Sequence, residues 1–386
     1  MTRFFYILCI LLYVILSFAA CRKSVSGPTR TGPANFTDVF DQFWEGMNTH
    51  YVYWDIDTTH WDAIYQQYRP LFARLDLQDA GDVRASVQLF RDMTKGLIDG
   101  HYAIRFYHSL LTDSTIDPAY DRKRSGPAFH EPYSFAGLAA HYLDPGYMSG
   151  YDSTTDAHQL LYALSGTIGQ RVLYFTCNRM ALLRSYQSPS GNGVRPVLQS
   201  FFDHLAGNSF DMKGLIIDLR DNGGGDLIDL GFLVGRIIDQ RLLFGYTRYR
   251  NGNGRLDHSS WLEAAVSPSA GAKKISAPII VLADNFSAST SEAMIMALRC
   301  LPNTTIVGEN TWGATGPFTD ENVYNDGPFS IPGFLSVNTS SVEFKHLDGR
   351  IYEGVGFPPD IAVPFDLSSI NAGIDRQLEK GISLIK

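Results

Sequence analysis

The stretch from Pro278 to Gly316 constrains this chain most. Ile279-Ile280-Val281-Leu282 is a short, β-branched apolar run, the pattern of a buried strand. Polar residues follow at once, from Asp284 to Glu292. Ala293-Met294-Ile295-Met296-Ala297-Leu298 then comes as a run that is apolar on nearly every face, and a helix of that composition has to be buried. A strand that turns sharply into a helix leaves the first helical N–H groups unpaired, and those groups favour negative charge. Ser289, at that turn, is therefore a candidate nucleophile. The same residues carry a plainer reading, because Ser289-x-x-Glu292 also spells a capping box that would only close the helix.

Upstream, Gly214-Leu215-Ile216-Ile217-Asp218-Leu219-Arg220 reads as a second buried strand. It leads through Asn222-Gly223-Gly224-Gly225 into a helical pattern from Leu227 to Ile238. Strands are expected at Gln170–Phe175, Leu242–Phe244, Ile279–Leu282 and Thr305–Val307, and a helix at Arg195–Leu205. That alternation predicts an α/β layered fold with parallel pairing, in which loops after strand ends carry the chemistry. The glycine run lacks both the Gly-Lys-Ser/Thr ending of a phosphate loop and the spacing of a dinucleotide fingerprint, so a nucleotide site has little support. Bare glycine amides can instead approach a substrate oxygen, and Gly224 together with the helix-start amide of Thr290 could form an oxyanion hole. A tight turn that needs glycine for its backbone angles is the alternative.

The chain opens with Arg3, an apolar run from Phe4 to Phe18 and Ala19-Ala20-Cys21, the arrangement of a secretory signal (1–20). Small residues before Cys21 point to lipidation there, although Phe18 replaces the usual aliphatic residue; a plain signal or an uncleaved anchor remains open. Residues 21–34 are polar with Gly and Pro and read as a tether. From 35 to 98, apolar residues at helical spacing, among them Phe36, Phe40, Phe43, Trp61 and Phe90, predict about three amphipathic helices sharing an aromatic core. The segment from Tyr107 to Gly169 reads as irregular. A net charge of −8 with 19% charged residues gives no basic field for nucleic acid. Cys177 and Cys300 are too few and too far apart for a zinc site. Each lies in an apolar run, which favours two buried thiols over a disulfide.

Four blocks occur in order: Asp218-Leu219-Arg220-x-Asn222-x-Gly224-Gly225, Ser287-Ala288-Ser289-x-Ser291-Glu292, Val307-Gly308-Glu309-x-Thr311-x-Gly313, and Glu353-Gly354-x-Gly356-x-x-Pro359-Asp360. In them the chain resembles the carboxyl-terminal processing peptidase and tricorn core peptidase family. The resemblance implies a core of that layered, crotonase-like type over 99–386, with Ser289 as nucleophile. Tail-processing members place a lysine base after the Thr-x-Gly of the third block, where this chain has Ala314. The tricorn-like branch uses Ser, His and Glu, which implies His101, in Asp99-Gly100-His101, and Glu353. An inserted PDZ domain is not expected, because the intervening residues are too few.

Histidine suits the role of base, since its ordinary pKa lies near neutrality and a carboxylate can hold its tautomer. His346 is a rival to His101, and Asp348 or Glu343 to Glu353. The expectation is an exported serine peptidase of the cell envelope, anchored by lipid at Cys21 and facing the periplasm or outer membrane. It would use Ser289, His101 and Glu353 with Gly224 and Thr290 as oxyanion donors, act on peptide or unfolded protein, and need no metal or organic cofactor. Two other classes stay open: a binding module that keeps the fold without catalysis, and an acyl-CoA hydratase-like enzyme. Oligomeric state is not legible.

Overall fold

A computed structural model describes residues 32–385 except 155–158, 189–191, 208–210, 253 and 319–326. The expected signal, Cys21 and most of the tether lie outside the described residues. Among these, no helix is long and apolar enough to cross a membrane.

Three helices, Phe36–His50, Trp61–Phe72 and Ala80–Thr94, form where the apolar spacing predicts them. Asn35 and Asp79 cap the first and third by accepting hydrogen bonds from the opening turn. Their shared core is aromatic: Phe43 and Phe90 meet edge to face with ring centroids 4.9 Å apart, and Phe72 meets Phe90 at the same distance. The helices do not close this core alone. A small antiparallel sheet, ordered Phe329–Ile331, Leu335–Asn338, Ala103–Phe106, Thr115–Ile116, covers it. Ile331, Phe334 and Val337 are buried among the helical aromatics, so the helical region and the distant 329–338 segment share one core.

The main sheet has seven strands in the order Ile361–Ala362, Thr304–Gly308, Ile279–Ala283, Gly214–Asp218, Val172–Cys177, Leu161–Ile168, Met148–Asp152. Neighbours among the first five are parallel, and the last two strands are antiparallel additions. Helices Val194–Leu205, Ile228–Val234 and Thr290–Leu298 cover one face. The C-terminal helix Arg376–Ser383 and the short segment around Ala139 cover the other. All nine residues of Thr290–Leu298 are buried, as its composition demands.

Two expectations need correction. The stretch from Tyr107 to Gly169 contains the regular strands Met148–Asp152 and Leu161–Ile168. Their alternation is blurred by Gly150 and Gly166, which sit where neighbouring backbone or Tyr147 approaches too closely for a Cβ. The strand around Leu242 is real but leaves the parallel layer. As Leu242–Tyr249 it pairs with Leu262–Val266 and Val342–His346 in a separate antiparallel sheet, because local pattern reports extended backbone and not the partner. Cys177 and Cys300 are both free, the first buried and the second half-buried.

Candidate active site

Ser289 lies where the strand Ile279–Ala283 hands over to the helix Thr290–Leu298, at the carboxyl ends of the parallel strands. Its backbone is left-handed, φ 58° and ψ −120°, a region that side-chain-bearing residues rarely occupy. The preceding turn is fixed by buried Asp284, which accepts from Phe286 N and Asp221 N. Ser287 Oγ in turn donates to Leu219 O at 2.8 Å, tying the turn to the next strand. Ser289 N–H donates both to Ala314 O (3.1 Å) and to Glu292 Oε2 (3.2 Å). The glutamate arm of the capping box is therefore present, and it does more than close a helix. Glu292 also accepts from Thr311 Oγ1 (2.5 Å), Gly313 N (2.7 Å) and Ala314 N (2.7 Å). One buried carboxylate thus joins the second sequence block to the third; burial raises its pKa against those four donors.

The glycine turn lies directly against the serine. A Cβ on Gly224, whose φ is 89°, would come within 2.7 Å of Ser289 Cβ, Ala288 O and Thr290 N. Only glycine fits. Asn222 stitches the two turns together: its N–H₂ donates to Cys177 O, its backbone C=O accepts from Ala288 N, and its side-chain oxygen accepts from Ser291 Oγ. That same oxygen also accepts the Gly224 N–H at 2.9 Å. The amide expected at an oxyanion is thus held by a side chain here, and would have to exchange that partner. The Thr290 N–H, by contrast, has no hydrogen-bond partner among the described residues, while Thr290 Oγ1 donates to Gly225 O.

His101 and Glu353 converge on the same segment from elsewhere. Gly100 fits against Gly313 and Ala314 so closely that a Cβ there would come 2.4 Å from Gly313 O. Glu353 Oε1 accepts from Gly100 N (2.6 Å), while Oε2 accepts from Thr315 N, Thr315 Oγ1 and Gly316 N. His101 Nδ1 lies 3.4 Å from Ser340 Oγ, and its ring meets Phe318 edge to face at 4.8 Å. Burial and then the charge of Asp99 push Glu353 up to about 8. Burial lowers His101, with Asp99 acting against it. Neither Ser289 nor Glu353 is hydrogen-bonded to the His101 ring.

Asp99, two residues before His101, is a site residue that the sequence does not single out. Its carboxylate accepts from His101 N, Thr339 Oγ1, Ser340 N and Ser340 Oγ, which holds the histidine turn to the end of a distant strand. No local pattern announces such a partner. Asp99, His101 and Glu353 each bring a ligand-type atom within 4.8 Å of the others. Their carboxylate oxygens already face N–H and O–H donors, so a cation would have to displace those. The rivals lie apart: His346 sits beside Cys300 and Asp348, and Glu343 pairs with Arg248. Asp218 and Arg220 brace the fold, with Arg220 buried between Asp218 and Asp375.

A sequence model of Peptidase family S41 matches residues 179–363, and one of the Tricorn protease C1 domain matches residues 33–80. The Tricorn protease of Thermoplasma volcanium is 27% identical over 173 residues, 45% of this chain and 15% of that protein. The carboxy-terminal processing protease CtpA of Bacillus subtilis is 30% identical over 149 residues, 39% of this chain and 28% of that protein. The chain therefore spans well under half the length of these curated relatives. Among solved structures, a candidate peptidase from Parabacteroides merdae superposes with a TM-score of 0.69 at 23% identity, covering 92% of this chain and 97% of that one. That likeness is one of fold.

Proposed function

Because the chain belongs to the carboxyl-terminal processing and tricorn-like family of serine peptidases, we propose that it hydrolyses peptide bonds through Ser289, His101 and Glu353. The observation that carries this reading is the elbow itself. A serine is held in left-handed backbone at the start of a buried helix, against a glycine that no other residue could replace.

In the proposed reaction Ser289 Oγ forms a bond to the peptide carbonyl carbon, and His101 takes the hydroxyl proton. The oxyanion that develops takes the unpartnered Thr290 N–H, and the Gly224 N–H once Asn222 releases it. As the C–N bond breaks, His101 returns its proton to the leaving amine. Water, deprotonated by the same imidazole, then cleaves the acyl ester and restores Ser289. Glu353 acts on the Gly100 backbone that carries His101, fixing the base in place. The leader and Cys21 support export and lipid anchorage at the cell envelope, where the substrates would be peptides or unfolded proteins.

A second reading, a peptide-binding module without turnover, is favoured by two observations: Ser289 and His101 make no hydrogen bond with each other, and the Gly224 amide is already engaged. A serine-directed fluorophosphonate separates the two. Covalent labelling of the wild type, lost in Ser289→Ala and His101→Ala, supports the peptidase. A folded wild type that does not label supports the module.

A further inference from the structure

Where the helical region meets the small sheet of Leu242–Tyr249, three side chains far apart in sequence converge. Asp55 lies in the turn between the helices Phe36–His50 and Trp61–Phe72, His258 in the loop before the strand Leu262–Val266, and Glu343 on the strand Val342–His346. One ligand-type atom from each lies within 4.8 Å of the others. None of the three belongs to the Ser289 site.

Two features of this cluster point to a missing cation. The first is Glu343, which is fully buried and whose Oε1 has no hydrogen-bond partner among the described residues. A buried carboxylate oxygen without a partner is costly. Arg248, directly across from Glu343 in the sheet, takes only one oxygen of each acid. Its Nε donates to Glu343 Oε2 at 2.5 Å and its Nη2 to Asp55 Oδ2. The same guanidinium lies over the Trp261 ring, and Lys345 Nζ stands 3.8 Å from the centroid of that ring. Arg250, also within the field of Asp55, donates to the carbonyls of Gly254 and Arg255. None of these cations reaches Glu343 Oε1.

The second feature is His258. Its Nδ1 lies 3.0 Å from Leu256 O and its Nε2 2.9 Å from Val52 O. A neutral imidazole carries one N–H, so with Nδ1 donating to Leu256 the Nε2 lone pair faces a carbonyl oxygen. Two lone pairs at that distance repel unless a proton or a metal ion serves both. Metal–ligand bonds of about 2.0–2.2 Å put neighbouring donor atoms about 3 Å apart, which is the spacing found here.

We propose that Asp55, His258 and Glu343, together with the Val52 carbonyl, bind a divalent transition-metal ion of the zinc class. An imidazole nitrogen among carboxylate and carbonyl oxygens suits Zn²⁺ better than Ca²⁺ or Mg²⁺, which prefer oxygen throughout. The ligands are Glu343 Oε1, the Asp55 oxygen that Arg248 leaves and His258 Nε2, so Arg248 keeps its hydrogen bonds. Asp55 is partly exposed and gives the ion its way in. The ion ties the turn after the first helix to the antiparallel sheet, a structural role that holds whether or not Ser289 cleaves peptides.

The test is calorimetric titration of the untagged full chain in detergent, stripped with a chelator, with Zn²⁺ and separately with Ca²⁺ and Mg²⁺. Zn²⁺ is expected to bind with a Kd of about 1 μM or tighter and to raise the melting temperature, with Ca²⁺ and Mg²⁺ weaker by about tenfold or more. His258→Gln and Asp55→Asn should each weaken Zn²⁺ by about tenfold or more, whereas His101→Ala, in the other His–carboxylate cluster, should leave it unchanged. Asp55→Asn changes a partly exposed turn, and circular dichroism in chelator checks that it folds as the wild type does. No Zn²⁺ binding, binding that both variants retain, binding that follows His101 instead, or Ca²⁺ bound as tightly as Zn²⁺ overturns the proposal.

Discussion

Glu353 Oε1 accepts a 2.6 Å hydrogen bond from the backbone N–H of Gly100, the residue before His101. The carboxylate therefore holds the peptide that carries the base and not the imidazole itself, and its protonation state matters through that backbone. Burial pushes Glu353 to about 8, while burial lowers His101 below 6.5. Burial thus favours the neutral imidazole of His101 and, for Glu353, uptake of a proton as pH falls through about 8. If turnover needs the ionised carboxylate, the acid limb of kcat/KM falls near pH 8. Glu353→Gln, which has no carboxylate to ionise, should lose most of kcat/KM at every pH and leave a residual activity that follows the His101 titration alone; a variant with wild-type kcat/KM, or one whose limb stays near 8, would exclude this role. The sign for stability follows too: the folded state keeps a proton that the unfolded chain releases above 4.5, so Glu353 contributes less as pH rises from about 4.5 to about 8. Urea midpoints of Glu353→Gln should be flatter across that window than those of the wild type.

Gly224→Ala puts a Cβ 2.7 Å from Ser289 Cβ and Thr290 N at a φ of 89°. Either the glycine turn or the elbow must shift. Stability should drop by about 1–3 kcal/mol, and fluorophosphonate labelling should slow by about a hundredfold or more. Wild-type labelling in this variant would show that the two turns do not act together.

Arg220 is buried with its guanidinium between Asp218 and Asp375. It also donates to Gln377 Oε1 and lies over the Phe135 ring. Arg220→Ala leaves two buried carboxylates facing each other, and should cost about 3–5 kcal/mol. Hydrogen exchange should show the helix Arg376–Ser383 opening first, because Asp375 caps it. Uniform loss of protection across the chain would argue against a local tie.

Glu292→Gln keeps the shape and turns an N–H₂ toward N–H donors. With four donors converging on the wild-type carboxylate, at least one is left facing another donor, at a cost of about 1–3 kcal/mol. Labelling of Ser289 should fall with it, because Ala314 and Ser289 lose their shared acceptor. Unchanged labelling at reduced stability would make Glu292 a strut only.

Much of this was legible in the chain because composition and period left few choices. The helix Thr290–Leu298 has no wet face, the strand Ile279–Ala283 has no polar residue, and the aromatic spacing from Phe36 to Phe90 fits only helices. What was not legible depends on partners far apart in sequence. Leu242–Tyr249 reads as a strand anywhere, and only its pairing with Val342–His346 removes it from the parallel layer. Asp99 reaches Ser340, and Glu353 reaches Gly100, across more than two hundred residues. The commitment of the Gly224 amide to Asn222 is likewise a matter of rotamer and turn geometry, which a glycine run does not encode.

The backbone at Ser289 has an evolutionary side. Glycine adopts a φ of 58° with ψ −120° without penalty and serine does not, so the fold by itself would be better served by the smaller residue. A lineage that kept only the scaffold would gain stability from a single Ser289→Gly change, whereas one that uses the hydroxyl must carry the strain in every generation. The elbow is thus a point at which selection for folding and selection for chemistry pull in opposite directions.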